Sequence, residues 1–210
     1  MITALLLIFD TGKAWDRVAL SRRGLFFIVA FYLLPMMALV SAVEGYGLVA
    51  KGQSSTVNKF TRGEAAFAEV IEMLLMCIVI AVCAYTIKAL SETFRGGHTY
   101  TQAFKVVIYG LSPLFLLRLL DAMPNMSVWI PWAVGIVLCL NILYTGVPRV
   151  MQPDPPHAFG LFVMSALLMV VLTGLERFLT AGYLAGHFKP VGEVVSHISS
   201  LIVSKLEFWK

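Results

Sequence analysis

The sequence predicts an all-α, polytopic membrane protein with five transmembrane helices. Of its 210 residues, 59% are hydrophobic and only 13% are charged, and the mean hydropathy is +0.84. This composition excludes an ordinary soluble domain. The chain also contains five apolar runs, each close to the roughly 20 residues that about 30 Å of hydrocarbon requires. In lipid these runs are expected to be helical, because a helix satisfies its own backbone hydrogen bonds.

The first predicted element is an amphipathic helix over residues 13–23, ahead of the first span. Trp15, Val18 and Ala19 recur at helical spacing, while basic residues occupy the polar positions. This pattern is typical of a helix that lies in the membrane surface, although an ordinary juxtamembrane linker also fits it. The residues before it contain no basic region and no small-residue cleavage site, so we expect no signal peptide.

The five apolar runs predict the spans, which cover residues 24–43, 70–90, 103–122, 128–147 and 159–183. Pro35 lies near the middle of the first run and predicts a kink there. Residues 44–69 are polar and rich in Gly, Ser and Thr, which predicts a loop outside the bilayer. Residues 148–158, between the last two spans, contain four prolines and predict an extended connector instead of helix.

The third and fourth runs form the most distinctive stretch, a predicted transmembrane hairpin over residues 109–151. Its turn, residues 123–127, contains a proline and cannot continue either helix. Trp129 and Trp132 at the start of the second arm suit the level of the lipid headgroups. The turn and the two tryptophans therefore mark the end of the hairpin that lies at the membrane surface.

The end of the chain predicts a second amphipathic helix. From residue 191 onward, apolar residues recur on one helical face, but polar residues interrupt them and the segment is too polar to span. We therefore divide the chain into a five-span membrane domain, residues 1–188, and an amphipathic C-terminal helix on the membrane surface, residues 189–210.

The basic residues predict the orientation of the spans, since Lys and Arg in short loops favour the cytoplasmic side. Placing the N-terminus in the cytoplasm collects Lys13, Arg17, Arg22, Arg23, Lys88, Arg95, Lys105 and Arg149 on that side. The other side keeps Lys51, Lys59, Arg62 and Lys189. This count omits Arg118 and Arg177, which lie within spans, and Lys205 and Lys210, which are far from a span end; including them would erase the difference. With five spans, the C-terminus then lies on the side opposite the N-terminus.

The histidines, the cysteines and Ser112 form no sequence pattern typical of an enzyme active site or a metal centre. The four histidines match no metal-binding spacing, and the three cysteines form no C-x-x-C pair. Ser112 lacks the nucleophile-elbow pattern. The basic residues are scattered at span ends, which argues against nucleic-acid binding. We therefore expect no enzyme activity, no metal, no cofactor and no nucleic-acid partner.

The informative polar residues are charges inside or at the edge of the spans. Each costs roughly 2.5–3.5 kcal/mol on insertion scales, so such residues usually face a partner or water. At one depth near the outer leaflet the sequence places Glu72, Arg118, Asp121, Glu176 and Arg177, with Glu44 and Glu69 at the same edge. The expected contacts are Asp121 with Arg177, or Arg118 with Glu176. The group forms either structural ion pairs or a site for a cation, a headgroup or a substrate.

Two short motifs mark the hairpin, namely Tyr109, Gly110, Ser112 and Pro113 in its first arm and Tyr144 and Gly146 near the end of its second arm. Together with the five-span arrangement, they resemble the Ypt-interacting-protein (Yip) family over roughly residues 6–184, and in particular its short bacterial inner-membrane members. The resemblance implies a cytoplasmic N-terminus and a small non-enzymatic protein that organises membrane or protein partners. The sequence shows neither the long soluble N-terminal region nor the Asp-Leu-Tyr-Gly-Pro signature of eukaryotic members, so the resemblance does not extend to Rab binding and vesicle trafficking.

Two functions remain as hypotheses. The first is a non-enzymatic protein of the bacterial inner membrane that contacts the lipid bilayer and a membrane-protein partner or a second copy of itself. The second is a small transporter or channel for a cation or small solute, prompted by charges and prolines at comparable depths. Internal repeats, the usual pointer to a transporter, are not evident in the sequence. The residues identify neither the partner nor a small-molecule ligand.

Overall fold

The computed structural model of the protein describes residues 10–21, 24–51, 61–96, 99–123 and 126–185. Within these ranges the regular structure is entirely helical, as predicted. The helices, in chain order, are α1 (Thr11–Leu20), α2 (Leu25–Ala50), α3 (Arg62–Thr93), α4 (Tyr100–Ala122), α5 (Trp129–Met151) and α6 (Ala158–Leu184). Five of them, α2 to α6, are long and apolar enough to cross a membrane, which confirms the predicted number of candidate spans.

Residues 44–69, which are predicted to form a loop, are helical over most of their length, so that prediction is wrong there. The second helix continues past Glu44 to Ala50, and α3 begins at Arg62. Before α3, the Thr61 hydroxyl accepts a hydrogen bond from the Glu64 amide (3.3 Å), and the Glu64 carboxylate accepts one from the Thr61 amide (2.9 Å). This capping box satisfies the first amides of the helix, so the helix starts within a stretch of polar composition. The acidic residues near both ends of the predicted loop are therefore helical.

The extended connector predicted over residues 148–158 is also largely wrong. Pro148 lies inside α5, where a proline removes only one backbone hydrogen bond and is tolerated near a helix end. The helix stops three residues later, where Gln152 adopts a left-handed backbone with φ of 47°. A short 3-10 segment, Pro155–His157, then leads into α6. Of residues 148–158, only 152–154 are without helical structure.

Two spans are irregular near their prolines. A π-helical turn, Val29–Leu33, precedes Pro35 in α2, at the place where a kink is predicted. The fourth helix is interrupted at Leu111, and Pro113 then occupies the first turn of the next helical segment, where its missing N–H is tolerated. A 3-10 segment, Leu119–Ala122, ends α4. The third predicted span is therefore not one regular helix.

The centre of the bundle is α4. In its most apolar 18-residue stretch, 78% of the residues are buried, against 28–44% in the other four long helices. This helix packs against α2, α3 and α5, while α6 packs against α3 and α5. Apolar side chains such as Ile80, Phe115 and Leu143 fill the core between the helices. Large apolar side chains such as Phe31 and Val137 point outward, as expected for lipid contact.

The N-terminal helix packs along α5. The indole N–H of Trp15 donates a hydrogen bond to the carbonyl of Ile142 at 3.0 Å. Nearby, Arg149 donates to the carbonyl of Gly12 and forms an ion pair with Asp16 at 3.0 Å. These contacts attach α1 to the end of the bundle where α5 finishes.

The membrane-surface helix predicted over residues 13–23 is not confirmed. Of its apolar positions, Trp15 and Val18 are buried against protein, whereas Ala19 is exposed and Ala14 is buried. Because α1 packs on α5, its location in a membrane surface is not confirmed. The C-terminal amphipathic helix and the division at residue 188 lie outside the described residues.

Candidate functional site

Seven charged side chains meet at the end of the bundle opposite α1, and we term them the charge cluster. They are Glu44 from α2, Glu69 and Glu72 from α3, Arg118 and Asp121 from α4, and Glu176 and Arg177 from α6. The structure thus brings together every charged residue that the sequence placed at this depth. The ion-paired side chains are only 3–9% exposed, so the charges are almost fully enclosed by protein.

Arg118 is the hub of the charge cluster. Its guanidinium donates two hydrogen bonds to the Glu44 carboxylate, from Nε to Oε1 at 3.1 Å and from Nη2 to Oε2 at 2.8 Å. The same Nη2 donates to Oε1 of Glu72, and Nη1 lies 3.8 Å from Oε1 of Glu176. The two-point contact with Glu44 fixes the relative orientation of the guanidinium and the carboxylate as well as their separation. Arg118 therefore connects α4 to three other helices.

Arg177 is the second arginine of the charge cluster, and it pairs with acids from two helices. Its Nη2 donates to the Asp121 carboxylate and lies 3.4 Å from the carbonyl of Val128, while Nη1 lies 3.4 Å from Oε1 of Glu72. The Glu72 oxygen consequently bridges both arginines. Both contacts expected from the sequence are present, since Asp121 meets Arg177 and Glu176 meets Arg118.

Helical spacing explains how α4 and α6 reach this arrangement. Arg118 and Asp121 are three residues apart and lie on one face of α4. Glu176 and Arg177 are adjacent, so their side chains project about 100° apart around α6. One therefore reaches Arg118 and the other reaches Asp121.

Glu44 is the partner whose role sequence reasoning missed. The sequence predicts it at the edge of a loop, yet it lies in α2 and forms the two-point contact with Arg118. A signal was present, because Glu44 continues the stripe of buried residues in α2 that includes Met37 and Val40. Gly47 continues the same stripe, and a Cβ there would lie 2.9 Å from the Cα of Ala122, so α2 and α4 approach closely beside the cluster.

A cavity of about 220 Å³ between α3 and α6 reaches the charge cluster at Glu72 and is otherwise lined mainly by apolar side chains. Two smaller cavities also border the cluster. One, of about 20 Å³, is lined by Met37, Glu44, Glu69, Glu72, Phe115 and Arg118 among others. The second, of about 50 Å³, is lined by residues that include Glu44, Glu69, Glu72, Asp121 and Arg177. Spaces of this size hold one or a few water molecules or a single ion. The cluster is therefore nearly closed by packing.

Hydrogen bonding within the cluster is incomplete among the described residues. Asp121 Oδ1, Glu176 Oε1 and Arg177 Nε are buried and have no hydrogen-bond partner there. Buried polar atoms are normally paired, so such atoms mark positions where water or another group would bind. The cluster also contains five carboxyl groups against two guanidinium groups. It can therefore connect helices and can also attract positive charge.

The family-like motif of the third span lies at the interruption of α4. The hydroxyl groups of Ser112 and Tyr32 share a hydrogen bond, and the rings of Tyr32 and Tyr109 lie 4.7 Å apart. At Gly110, a Cβ would approach Leu143 of α5 to 2.6 Å, so only glycine fits there without movement. Together with Pro113, these residues join α4 to α2 and α5 and belong to a packing region separate from the charge cluster.

The motif at the end of the fourth span has two different roles. Gly146 faces the indole of Trp15, and a Cβ at this position would overlap that ring. In contrast, the Tyr144 side chain is 60% exposed and packs edge-on against Phe162, with ring centroids 5.3 Å apart. Gly146 therefore serves the docking of α1, while Tyr144 faces outward.

Comparison with known protein families identifies the chain's similarity to one family model. The family model described as the Yip1 domain matches residues 5–175, which include α1 to α5 and most of α6. No curated protein and no solved structure gives a significant match.

Proposed function

The chain belongs to the Yip1 domain family, and from this premise we propose that it is a non-enzymatic membrane protein that organises membrane or protein partners. Members of the family are generally non-enzymatic trafficking proteins with membrane-spanning helices. What we propose for this chain is narrower, namely that it organises membrane or protein partners. A rigid helical body supports such a role, because it presents a constant set of outward side chains to lipid and to neighbouring proteins.

The closed packing of the charge cluster is the observation that carries this proposal. Arg118 and Arg177 make their ion pairs with acids of the same chain. Two cavities beside them are about 20 and 50 Å³, far below the size of a substrate site for an organic molecule, and a third, of about 220 Å³, has a mainly apolar lining. Charges enclosed in this way favour connection of helices over transfer of a solute. The function then resides on the outside of the bundle.

Outward apolar side chains offer the surfaces on which partners would bind. Each of four long helices carries such residues, for example Phe31 on α2, Leu74 on α3, Val137 on α5 and Val171 on α6. In lipid these surfaces do not drive association by hydrophobicity alone, so packing with another membrane helix has to supply the specificity. A membrane-protein partner or a second copy of this chain fits that requirement.

The proposal also includes a location. We place the chain in a bacterial inner membrane, with the N-terminus in the cytoplasm and the C-terminus on the opposite side. The distribution of basic residues supports this orientation. The membrane domain over residues 1–188 and the C-terminal amphipathic helix over residues 189–210 remain part of the same proposal.

Transport of a cation or small solute is the second candidate. It is favoured by the oxygens of Glu44, Glu69 and Glu72, which lie within 4.8 Å of one another inside the span region. Carboxylates in such positions often line ion pathways. The small volume of two neighbouring cavities and the mainly apolar lining of the third make this the weaker candidate.

Photo-crosslinking in native membranes tests the first candidate. A photoreactive side chain is placed at an exposed position on each of four helices, namely Phe31, Leu74, Val137 and Val171. We expect at least one position to give a reproducible adduct with an identified membrane protein or a second copy of the chain. The matched control is Ile142, which is buried on α5 and should give no intermolecular adduct.

Flux measurements complete this test. If all four exposed positions give only lipid adducts, and the purified protein produces cation-dependent flux in proteoliposomes, the transport candidate replaces the first one. An identified partner without flux supports the organising role.

A further inference from the structure

A cavity of about 220 Å³ lies between α3 and α6, on the side of the bundle where these two helices pack together. The residues of α3 that line it, from Ala68 to Leu75, recur at helical spacing and extend over about 10 Å of the helix. Leu179 and Thr180 of α6 form the opposite wall. The cavity is therefore an elongated recess along two helices, and we term it the α3–α6 groove.

The polar groups in the wall of the groove already have partners inside the protein. The Glu72 carboxylate pairs with Arg118 and Arg177 in the charge cluster. The Thr180 hydroxyl donates a hydrogen bond to the carbonyl of Glu176 at 3.0 Å. An ion, a water molecule or a lipid headgroup would therefore gain little from these groups, since their hydrogen bonds are already made. The chemistry of the wall favours a hydrocarbon.

The groove opens onto the apolar outer surface of the bundle. Its rim carries exposed apolar side chains, namely Val70 and Leu74 on α3 and Leu175 and Phe178 on α6. Both helices are long and apolar enough to cross a membrane, so this surface is the one that faces lipid. Tyr183, which also lines the groove, is one residue from the end of α6, at a position that suits the headgroup level. The groove thus begins just below one membrane surface, within reach of lipid tails.

The volume of the groove distinguishes between the apolar groups that a membrane contains. One turn of an α-helix, about 10 Å across and about 5.4 Å long, fills roughly 420 Å³, which is more than the groove provides. A flexible alkyl chain can follow a narrow recess. Leaving the recess empty is unfavourable, because the atoms of its wall lose dispersion contacts on that side.

We propose that the α3–α6 groove binds one acyl chain of a membrane phospholipid, which is held by packing and not by its headgroup. The bound chain covers Glu72 from the lipid side and keeps water away from the charge cluster. Since ion pairs are stronger where water is excluded, the lipid is a structural component of the cluster. The site goes beyond the organising role, because the chain binds there whichever partner the outer surface recognises.

Photolabelling in bilayers tests the site. The full chain is reconstituted in vesicles of phosphatidylglycerol or phosphatidylethanolamine that contain a trace of the same lipid with a diazirine on its acyl chain. Adducts are then located by peptide mass spectrometry. We expect the half-buried Ile71 and Leu75 to receive more label than Leu74, although Leu74 is more exposed to lipid. The labelling should be equal for the two headgroups.

Leu75→Trp should remove this excess of label, because the larger side chain occupies the groove. Leu74→Trp is the matched control, since it makes the same change at the adjacent, outward-facing position. Its labelling at Ile71 should equal that of the wild type.

Thermal unfolding gives a second measurement. The full chain is stripped of lipid in a detergent with a rigid steroid body, so that no detergent alkyl chain competes for the groove. Adding phosphatidylglycerol should raise the Tm of the wild type and of Leu74→Trp by about 3 °C. Leu75→Trp should show little increase, because its groove is already filled.

The inference is overturned if Ile71 and Leu75 of the wild type receive no more label than Leu74, a result that does not require any variant to fold. It is also overturned if Leu75→Trp leaves both the labelling and the Tm response unchanged, or if labelling depends on the headgroup. A diazirine-bearing amino acid at position 71 identifies other occupants. An adduct with residues 186–210 of the same chain or with a second copy, in place of lipid, would contradict the proposal.

Discussion

At the scale of residues, Arg118 and Arg177 carry the same charge but have different surroundings. Arg118 is held by two hydrogen bonds to Glu44 and by contacts with Glu72 and Glu176. Arg177 depends mainly on Asp121, with a longer contact to Glu72. Removing either guanidinium leaves buried acids unpaired, which is the most damaging type of change in such a network.

The pair of Asp121 and Arg177 is expected to be energetically coupled. Arg177→Ala should lower the free energy of unfolding by about 3 kcal/mol, because Asp121 then stays buried without a partner. Adding Asp121→Ala should cost little more, giving a coupling energy of about 1–3 kcal/mol in a double-mutant cycle measured by unfolding in detergent. The control cycle uses Lys88 and Glu92, a partly exposed pair with an expected coupling of about 0.3–0.5 kcal/mol. Full additivity of the two cluster substitutions would rule out the pair.

At the scale of elements, the position of α1 depends on one small residue in α5. Gly146 leaves the space that the Trp15 indole occupies, and the indole then reaches the carbonyl of Ile142. Arg149 adds two contacts at the end of the same interface. The amphipathic character of α1 therefore serves protein packing, whatever its relation to the membrane surface.

Gly146→Ala should release α1 from α5. The added Cβ would overlap the Trp15 ring, and overpacking of this kind costs about 1–3 kcal/mol. We expect a lower Tm and faster tryptic cleavage at Lys13 and Arg17 than in the wild type. The control is Gly63→Ala in α3, where a Cβ meets no atom within 4 Å and should leave both measurements unchanged. Equal cleavage rates in the two variants would show that Gly146 does not hold α1.

At the scale of the whole molecule, the charge cluster and α1 occupy opposite ends of one bundle. The contact between Arg149 and Asp16 brings α1 and the end of α5 together, so the segment leading into α6 lies at the same end as α1. The end of α2 and the start of α3 lie at the other end, beside the charge cluster. Any topology must therefore put this end of the bundle and the segment leading into α6 on different sides of the membrane.

Reporter fusions test the orientation of the bundle. A reporter active only in the cytoplasm should give a signal when fused after Pro155 and none when fused after Ser55, because the excess of basic residues favours the α1 end as the cytoplasmic side. A reporter active only outside the cytoplasm should give the opposite pattern at both points. If the signals are exchanged, the N-terminus faces away from the cytoplasm and the charge cluster lies toward it.

The sequence by itself determined the number of long apolar helices and the depth of most cluster residues. Hydropathy depends on composition within a run, and depth depends only on the distance along a helix, so both can be read locally. Hydropathy and composition predicted the ends of helices less well. The capping residues Thr61 and Glu64 start α3 within a polar stretch, and Pro148 is accommodated inside α5. Composition alone therefore made the predicted loops too long.

Only the tertiary structure decided which charges meet. Glu44 and Arg118 are separated by 74 positions in the sequence, and their contact depends on the neighbours of α2 and on its rotation about its own axis. The rotation of α3 likewise leaves Glu69 on the wall of a cavity, with no ion pair to either arginine among the described residues. The spacing of residues shows which of them share a face of one helix, but it does not show how different helices are positioned relative to one another. Those positions follow from packing, for example from the close approach of Gly47 to Ala122 and of Gly110 to Leu143.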